Sequence, residues 1–207
     1  YSIPKIISII ILSVIFIFLQ YAYAKQDYSP DVVELVRLKF SGGGDWYNGP
    51  TELPNLADFV KQNCGINVVS TGKYVEPLDE DLFNYPFIFM TGHGDCSFTE
   101  RETQRIREYI SAGGFLLVND DYGLDKSFRR EIEKILPGKE LVELPFNHPI
   151  YHSYFDFPNG LPKIHEHDGK PAKGFGIFVD ERLAVFYVYE SDIADGWDDP
   201  EVHNDPP

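Results

Sequence analysis

Three histidines carry most of the chemistry that this sequence can offer. His93 sits in Thr91-Gly92-His93-Gly94-Asp95, where Gly92 and Gly94 leave the imidazole open and allow close backbone approach. An imidazole so placed can serve as general acid or base, can ligate a metal, or can be a loop residue with no role. His165 and His167 form an H-x-H within His165-Glu166-His167-Asp168. On an extended strand, residues i and i+2 point to one side, so both imidazoles could meet one divalent metal ion. A tight site takes three or four ligands, and His93, Asp95, Asp120 and Asp121 are the candidates to complete it. Two solvated loop histidines would have the same sequence.

Carboxylates form the second group. Asn119-Asp120-Asp121 places adjacent acids where they could share a proton or bind a cation; with His93 they are the candidate catalytic set, and helix capping is the plain alternative. Gly42-Gly43-Gly44 could cradle an oxyanion with backbone N–H groups. The Walker lysine and the spaced G-x-G-x-x-G are absent, and Asp45 would repel an anion. Nucleotide binding is therefore disfavoured, and Gly43 and Gly44 read as a tight loop that lays Trp46 and Tyr47 over a sheet edge. Trp46, Tyr47, Tyr122 and Trp197 are interleaved with acids, as suits a sugar with faces to stack and hydroxyls to bind; with Gly43, Gly44, Asp45, Gly92, Gly94 and Asp95 they make a candidate ligand-binding set. Asp192, Asp195, Asp198, Asp199 and Glu201 cluster around Trp197, at a spacing that fits no calcium loop. A nucleophile is poorly supported. There is no G-x-S-x-G elbow, Cys96 follows Gly-His-Gly-Asp, and Ser97 and Ser127 read as helix-start residues.

These residues need elements to bring them together. Val36–Phe40 alternates apolar and basic residues as a half-buried strand does. Leu56, Phe59, Val60 and Cys64 recur at helical spacing, with Gly65 as the stop. Ile66–Val69 reads as a short second strand, and Phe87–Met90 and Phe115–Val118 as strands covered on both faces. Thr99-Glu100-Arg101-Glu102 is a capping box for a helix that ends at Gly113-Gly114. Asp125 can cap another, with Phe128, Ile132 and Ile135 inward. Leu141–Leu144 follows as a fifth strand, and Gly176–Val179 with Leu183–Tyr189 as a β-hairpin. This order predicts an α/β fold with a doubly wound, mostly parallel sheet and a C-terminal hairpin. The knots after Phe40, Met90 and Val118 then share the C-terminal edge of the sheet, where such folds bind ligands.

Composition sets the outer limits. The chain has 207 residues, 43% hydrophobic and 25% charged, so a real core is expected. A formal charge of −15 argues against nucleic acid as a partner. Residues 1–24 read as a secretory signal peptide: Lys5, the apolar run Ile6–Leu19 and Ala22-Tyr23-Ala24 before Lys25. The alternative is an uncleaved N-terminal membrane anchor, which the 14-residue run is short for. The expected location is periplasmic or extracellular, with 25–207 as one domain. Tyr1 in place of Met, and no closing element before Pro207, give the expectation of a chain cut at both ends. Cys64 and Cys96 fall on opposite edges of the expected sheet, so two free thiols are expected despite an oxidising compartment.

The motifs taken together carry a resemblance. They are Gly42-Gly43-Gly44-Asp45-Trp46-Tyr47, Thr91-Gly92-His93-Gly94, Ser127-Phe128-Arg129-Arg130-Glu131, Leu161 through Gly169, and Asp195-Gly196-Trp197. In these the chain resembles the uncharacterised bacterial domain-of-unknown-function family 4159 over nearly everything after residue 30. The resemblance implies a class I glutamine amidotransferase-like fold with flavodoxin-like strand order. The layout is also similar to that of trehalose-utilisation-type proteins, down to a later His148-Pro149. The amidotransferase elbow would fall near Asn119-Asp120-Asp121, where this chain has no Cys, so thiolate glutaminase chemistry is not expected. Fusion of some relatives to membrane-anchored proteins implies an accessory role at the envelope. Three functions follow as expectations. The first is binding of a small polar ligand, with a carbohydrate foremost. The second is hydrolysis by His93 with Asp120 or Asp121, with or without a metal on His165 and His167. The third is an interaction module for an envelope protein.

Overall fold

The computed structural model describes residues 32–199. The chain divides at Val33, and everything below concerns the unit that begins there. The expected signal peptide lies outside the described residues, as does Glu201. Among the described residues no helix is long and apolar enough to cross a membrane.

Among the described residues the fold is mixed α/β, with a mostly parallel seven-stranded sheet and three α-helices. Strands β2 (Val36–Leu38), β4 (Tyr74–Val75), β5 (Phe87–Met90), β6 (Phe115–Asn119) and β9 (Arg182–Tyr189) run parallel. β8 (Lys173–Val179) and β7 (Val142–Glu143) add antiparallel edge strands. The order across the sheet is β4-β2-β5-β6-β9-β8-β7. Counted along the chain, the five parallel strands stand 2-1-3-4-5. The order reverses between β2 and β5, and a crevice for ligands opens at the strand ends flanking such a switch point.

The apolar runs in β5 and β6 arise because both sheet faces are covered. Ile88 and Met90 face one core with Leu116 and Val118; Phe89 and Leu117 face the other. Helices α2 (Glu100–Ser111) and α3 (Asp125–Ile135) cover the first face through Ile106, Tyr109, Ile110, Phe128, Ile132 and Ile135. Helix α1 (Glu52–Cys64) covers the second through Leu53 and Ala57, beside Tyr151 and Ala194. Thr99 and Glu102 form the expected capping box, and Gly65 closes α1 in a left-handed conformation.

Three details depart from the sequence reading. Val68–Val69 (β3) lies outside the main sheet and pairs with β1 (Val33–Glu34) in a two-stranded one. Its place beside β2 goes to Tyr74–Val75, too short to show a period. Asp125 begins α3 rather than capping it and pairs with Arg129 at 2.6 Å; Asp120 instead accepts from the Leu124 amide at 2.9 Å. The hairpin is tighter than drawn, since Asp180 and Glu181 alone make the turn, both with positive φ, as a two-residue I′ turn requires. Cys64 is exposed and Cys96 buried, and both are free.

Candidate functional site

The loop after β2 is pinned from below. Arg37, almost fully buried, donates to the carbonyls of Trp46, Asn48 and Gly49 and to Glu52 Oε2 at 2.7 Å. Burial pushes the Glu52 carboxyl up to about 8 against the pull of Arg37. The Arg37 guanidinium keeps its charge and stands 2.7 Å from the carboxyl, so it offsets part of that burial cost.

That loop locks into the one after β5. The Gly44 amide donates to the Asp95 carbonyl at 2.8 Å, and the Asp45 amide to that of His93 at 3.3 Å. A Cβ on Gly44 would lie 2.7 Å from the His93 oxygen and 2.8 Å from that of Asp95, so a side chain would force the loops apart. Gly92, at φ +140°, leaves no more than contact distance to Asp45. The His93 amide donates to Asp45 Oδ1 at 2.5 Å. Its ring Nδ1 stands 3.1 Å from Asp45 Oδ2 and 3.3 Å from Asp121 Oδ2, with half of the side chain open to solvent. Asp121 is buried and accepts from Asn48 Nδ2 at 2.5 Å. The β2, β5 and β6 strand ends thus converge on one imidazole.

The other half of the site follows β9. Parallel pairing with β6 sends the chain after Tyr189 to the same edge. Glu190 and Asp192 there have φ of 57° and 51°, a left-handed conformation that costs a non-glycine residue energy and persists only where surroundings enforce it. The enforcement is visible. Glu190 accepts from Lys163 Nζ at 3.1 Å and the Asp168 amide at 3.4 Å. Asp192 Oδ1 accepts from Asn119 Nδ2 at 2.7 Å, and the Ser191 carbonyl accepts the Ile164 amide at 2.8 Å.

These bonds draw in the His165–His167 segment. It is not a strand but an irregular loop, so the one-sided placement comes from its ties to Glu190 and Ser191 rather than from strand alternation. The two rings lie 5.4 Å apart. His165 Nδ1 is 3.2 Å from Asp195 Oδ2 and 3.8 Å from Asp192 Oδ2; His167 Nε2 is 3.3 Å from Asp192 Oδ2. Burial, and then the nearby Asp121, push the Asp192 carboxyl well up from the usual carboxylate range. Burial, and then His165, lower the pKa of His167. Among the described residues three groupings have ligand atoms within 4.8 Å of one another and could hold a metal ion: His165–His167–Asp192, Asp121–Asp192–Asp195 and Asp45–His93–Asp121. Asp121 and Asp192 each belong to two of them.

The remaining candidates fall on either side of this centre. Asp120 is buried and turned away to the Leu124 amide and the Tyr187 hydroxyl, with burial holding its carboxyl up near about 6. Tyr122 is exposed, lies 5.3 Å from the His167 ring and donates to Asp168 at 3.2 Å. Gly94 donates to the Tyr122 carbonyl. Tyr47 is exposed, while Trp46 packs between it and Tyr74. Gly43 is open, and Asp95 serves through its carbonyl. Trp197 packs on Phe89, and Asp198 and Asp199 bind Thr51 and Asn55, so that cluster splits. Sequence reasoning overlooked Asp192 and Asp195 as partners of the H-x-H, along with Asn119, Asn48 and Glu190. The available signal was β9 itself: a parallel strand would deliver the polar run after Tyr189 to the same edge as the other knots.

The molecule is an α/β protein with a switch-point site rich in His and Asp. The chain belongs to the family described as a domain of unknown function (DUF4159), whose model matches residues 34–207. No curated protein matches it.

Proposed function

We propose that the chain is a hydrolase of a small polar substrate, with His93 as its acid–base group and a divalent cation assisting from the His165–His167 side. One observation carries the reading: His93 Nδ1 faces both Asp45 and Asp121 while half of the side chain stays open. A carboxylate behind one nitrogen fixes the tautomer and supports the imidazolium that forms when the ring takes a proton. Asp121 is the better supported carboxylate partner, because Asp120 is committed to α3 and Tyr187. A bound cation would polarise the scissile bond or activate a water; the protein's own part is to place His93 opposite it. With no Cys at Asn119-Asp120-Asp121 a thioester route is closed, and attack by water is the route proposed. The 2-1-3-4-5 order supports a class I glutamine amidotransferase-like layout without the thiol. The apolar leader Ile6–Leu19 supports export, so the substrate would be met outside the cytoplasm.

Exposed Tyr47 and Tyr122 favour a second reading, in which the same edge binds a carbohydrate without turnover. A mass-spectrometric screen of glycans, amides and esters decides between the two. Hydrolysis should fall by about 10²–10⁴-fold in H93A and also fall in D121N. Saturable glycan binding with no product in any reaction would discard the hydrolase in favour of the binder.

A further inference from the structure

We infer that His165, His167, Asp192 and Asp195 form a four-donor site for a zinc-class transition-metal dication. The inference rests on the functional reading only for the use made of the ion; the site stands on its own geometry. The first ground is a pair of buried atoms without hydrogen-bond partners. His167 Nε2 and Asp192 Oδ2 belong to side chains exposed by 5% and 1%. They stand 3.3 Å apart, and neither makes a hydrogen bond. Burying such groups unpaired is costly, and native proteins rarely do it without a ligand. Both lie within 4.8 Å of the His165 ligand nitrogen.

The second ground is the spacing. Four donors at about 2.0–2.1 Å from one ion, arranged tetrahedrally, lie roughly 3.3 Å from one another. The separations here are 3.2 Å for His165 Nδ1 to Asp195 Oδ2, 3.3 Å for His167 Nε2 to Asp192 Oδ2 and 3.8 Å for His165 Nδ1 to Asp192 Oδ2. The ligand atoms of His165, His167 and Asp192 lie within 4.8 Å of one another, and Asp195 joins them through His165. The third ground is support behind the donors. Asn119 Nδ2 holds Asp192 Oδ1 at 2.7 Å and leaves Oδ2 for the ion, the arrangement that orients metal-binding carboxylates. Glu190 and Lys163 fix the loop bearing both histidines.

The donor types choose the metal. Two imidazole nitrogens with two carboxylate oxygens suit zinc and its transition-metal neighbours, whereas magnesium and calcium prefer oxygen alone. Asp121, whose carboxylate is within 4.8 Å of those of Asp192 and Asp195, links this ion to His93. The cation and the acid–base group would then face one substrate from two sides.

The test uses the full chain, stripped with a chelator and dialysed. Zn²⁺ is titrated by calorimetry and Co²⁺ by visible absorption. The expected result is one tight equivalent of Zn²⁺, undisturbed by excess Mg²⁺, and Co²⁺ bands of a four-coordinate site. H167A, and H165A at an exposed position that leaves the fold intact, should lose more affinity than the roughly 10–100-fold cost of a supporting contact. H93A should keep affinity within a few-fold. No Zn²⁺ binding by the wild-type chain, equal competition by Mg²⁺, or loss on H93A without loss on H165A would overturn the site. Tight Zn²⁺ without turnover would sustain the site and defeat the hydrolase. Turnover unaffected by chelation in a chain that binds no Zn²⁺ would do the reverse.

Discussion

Arg37→Met is the sharpest test of how the site is held. Arg37 and Glu52 meet at 2.7 Å with side chains exposed by only 8% and 1%. Deleting the cation leaves Glu52 buried without its partner, which costs about 3–5 kcal/mol once the carboxyl is ionised; the loop carbonyls of Trp46, Asn48 and Gly49 lose their donor as well. At ~2–4 °C per kcal/mol for a domain of this size, melting should fall by roughly 6–20 °C. The loss should also depend on pH. Burial already raises Glu52 to about 8 from 4.5, and without Arg37 it rises further. A folded-state pKa above the unfolded one means that the folded form binds the proton more tightly. Both proteins lose this contribution alike from pH 4.5 to 8 and only the variant goes on losing it beyond, so its deficit stays level up to about pH 7 and widens from there to about pH 10. Urea unfolding across that range measures it. R37M/E52L, which removes both charges, should recover most of the loss. A single-variant cost below about 1 kcal/mol, or a double variant no better than the single, would refute the claim that this pair anchors the loop carrying Asp45 and Asn48.

Two further perturbations probe packing and thiols. In G44A the new Cβ would sit 2.7 Å from the His93 carbonyl oxygen, so urea unfolding should show a loss of about 1–3 kcal/mol; a change within ~0.5 kcal/mol would mean that the two loops separate freely. Cys64 should react quickly with a thiol reagent in the native protein. Cys96, buried and with its thiol pushed up to about 11, should react only after denaturation; a denatured chain with no reactive thiol would instead signal a disulfide.

Much of the first half-site was legible because its signals are local. Gly42-Gly43-Gly44-Asp45 and Gly92-His93-Gly94 follow apolar runs whose placement in a parallel sheet needs only the β/α order, and the edge they share follows from it. The capping box at Thr99 and the stop at Gly65 are equally local. Asp120 and Asp121 were less separable. Adjacent residues at a strand end diverge, and one carboxyl turns to the Leu124 amide while the other turns to His93. Nothing in the pair Asp-Asp says which is which.

The second half-site depended on a long-range fact: whether Leu183–Tyr189 pairs only with its hairpin partner or also with β6. Both pairings exist, and the parallel one carries Asp192 and Asp195 to the edge. The acidic run after Tyr189 is compatible with a solvated tail until that pairing is known. The strain there points the same way. Glu190 and Asp192 occupy a region of backbone space that glycine would fill without penalty. Glycine could not replace what these side chains do: Glu190 holds Lys163, and Asp192 presents one oxygen to Asn119 and the other to His167. A sequence that breaks a local rule at two positions, where one carboxylate ties down the loop that carries both histidines and the other faces His167, gives up stability for geometry. That is the expected mark of a binding site, and it favours the pair His167 and Asp192 over the more exposed His93 as the place where the proposed ion would bind.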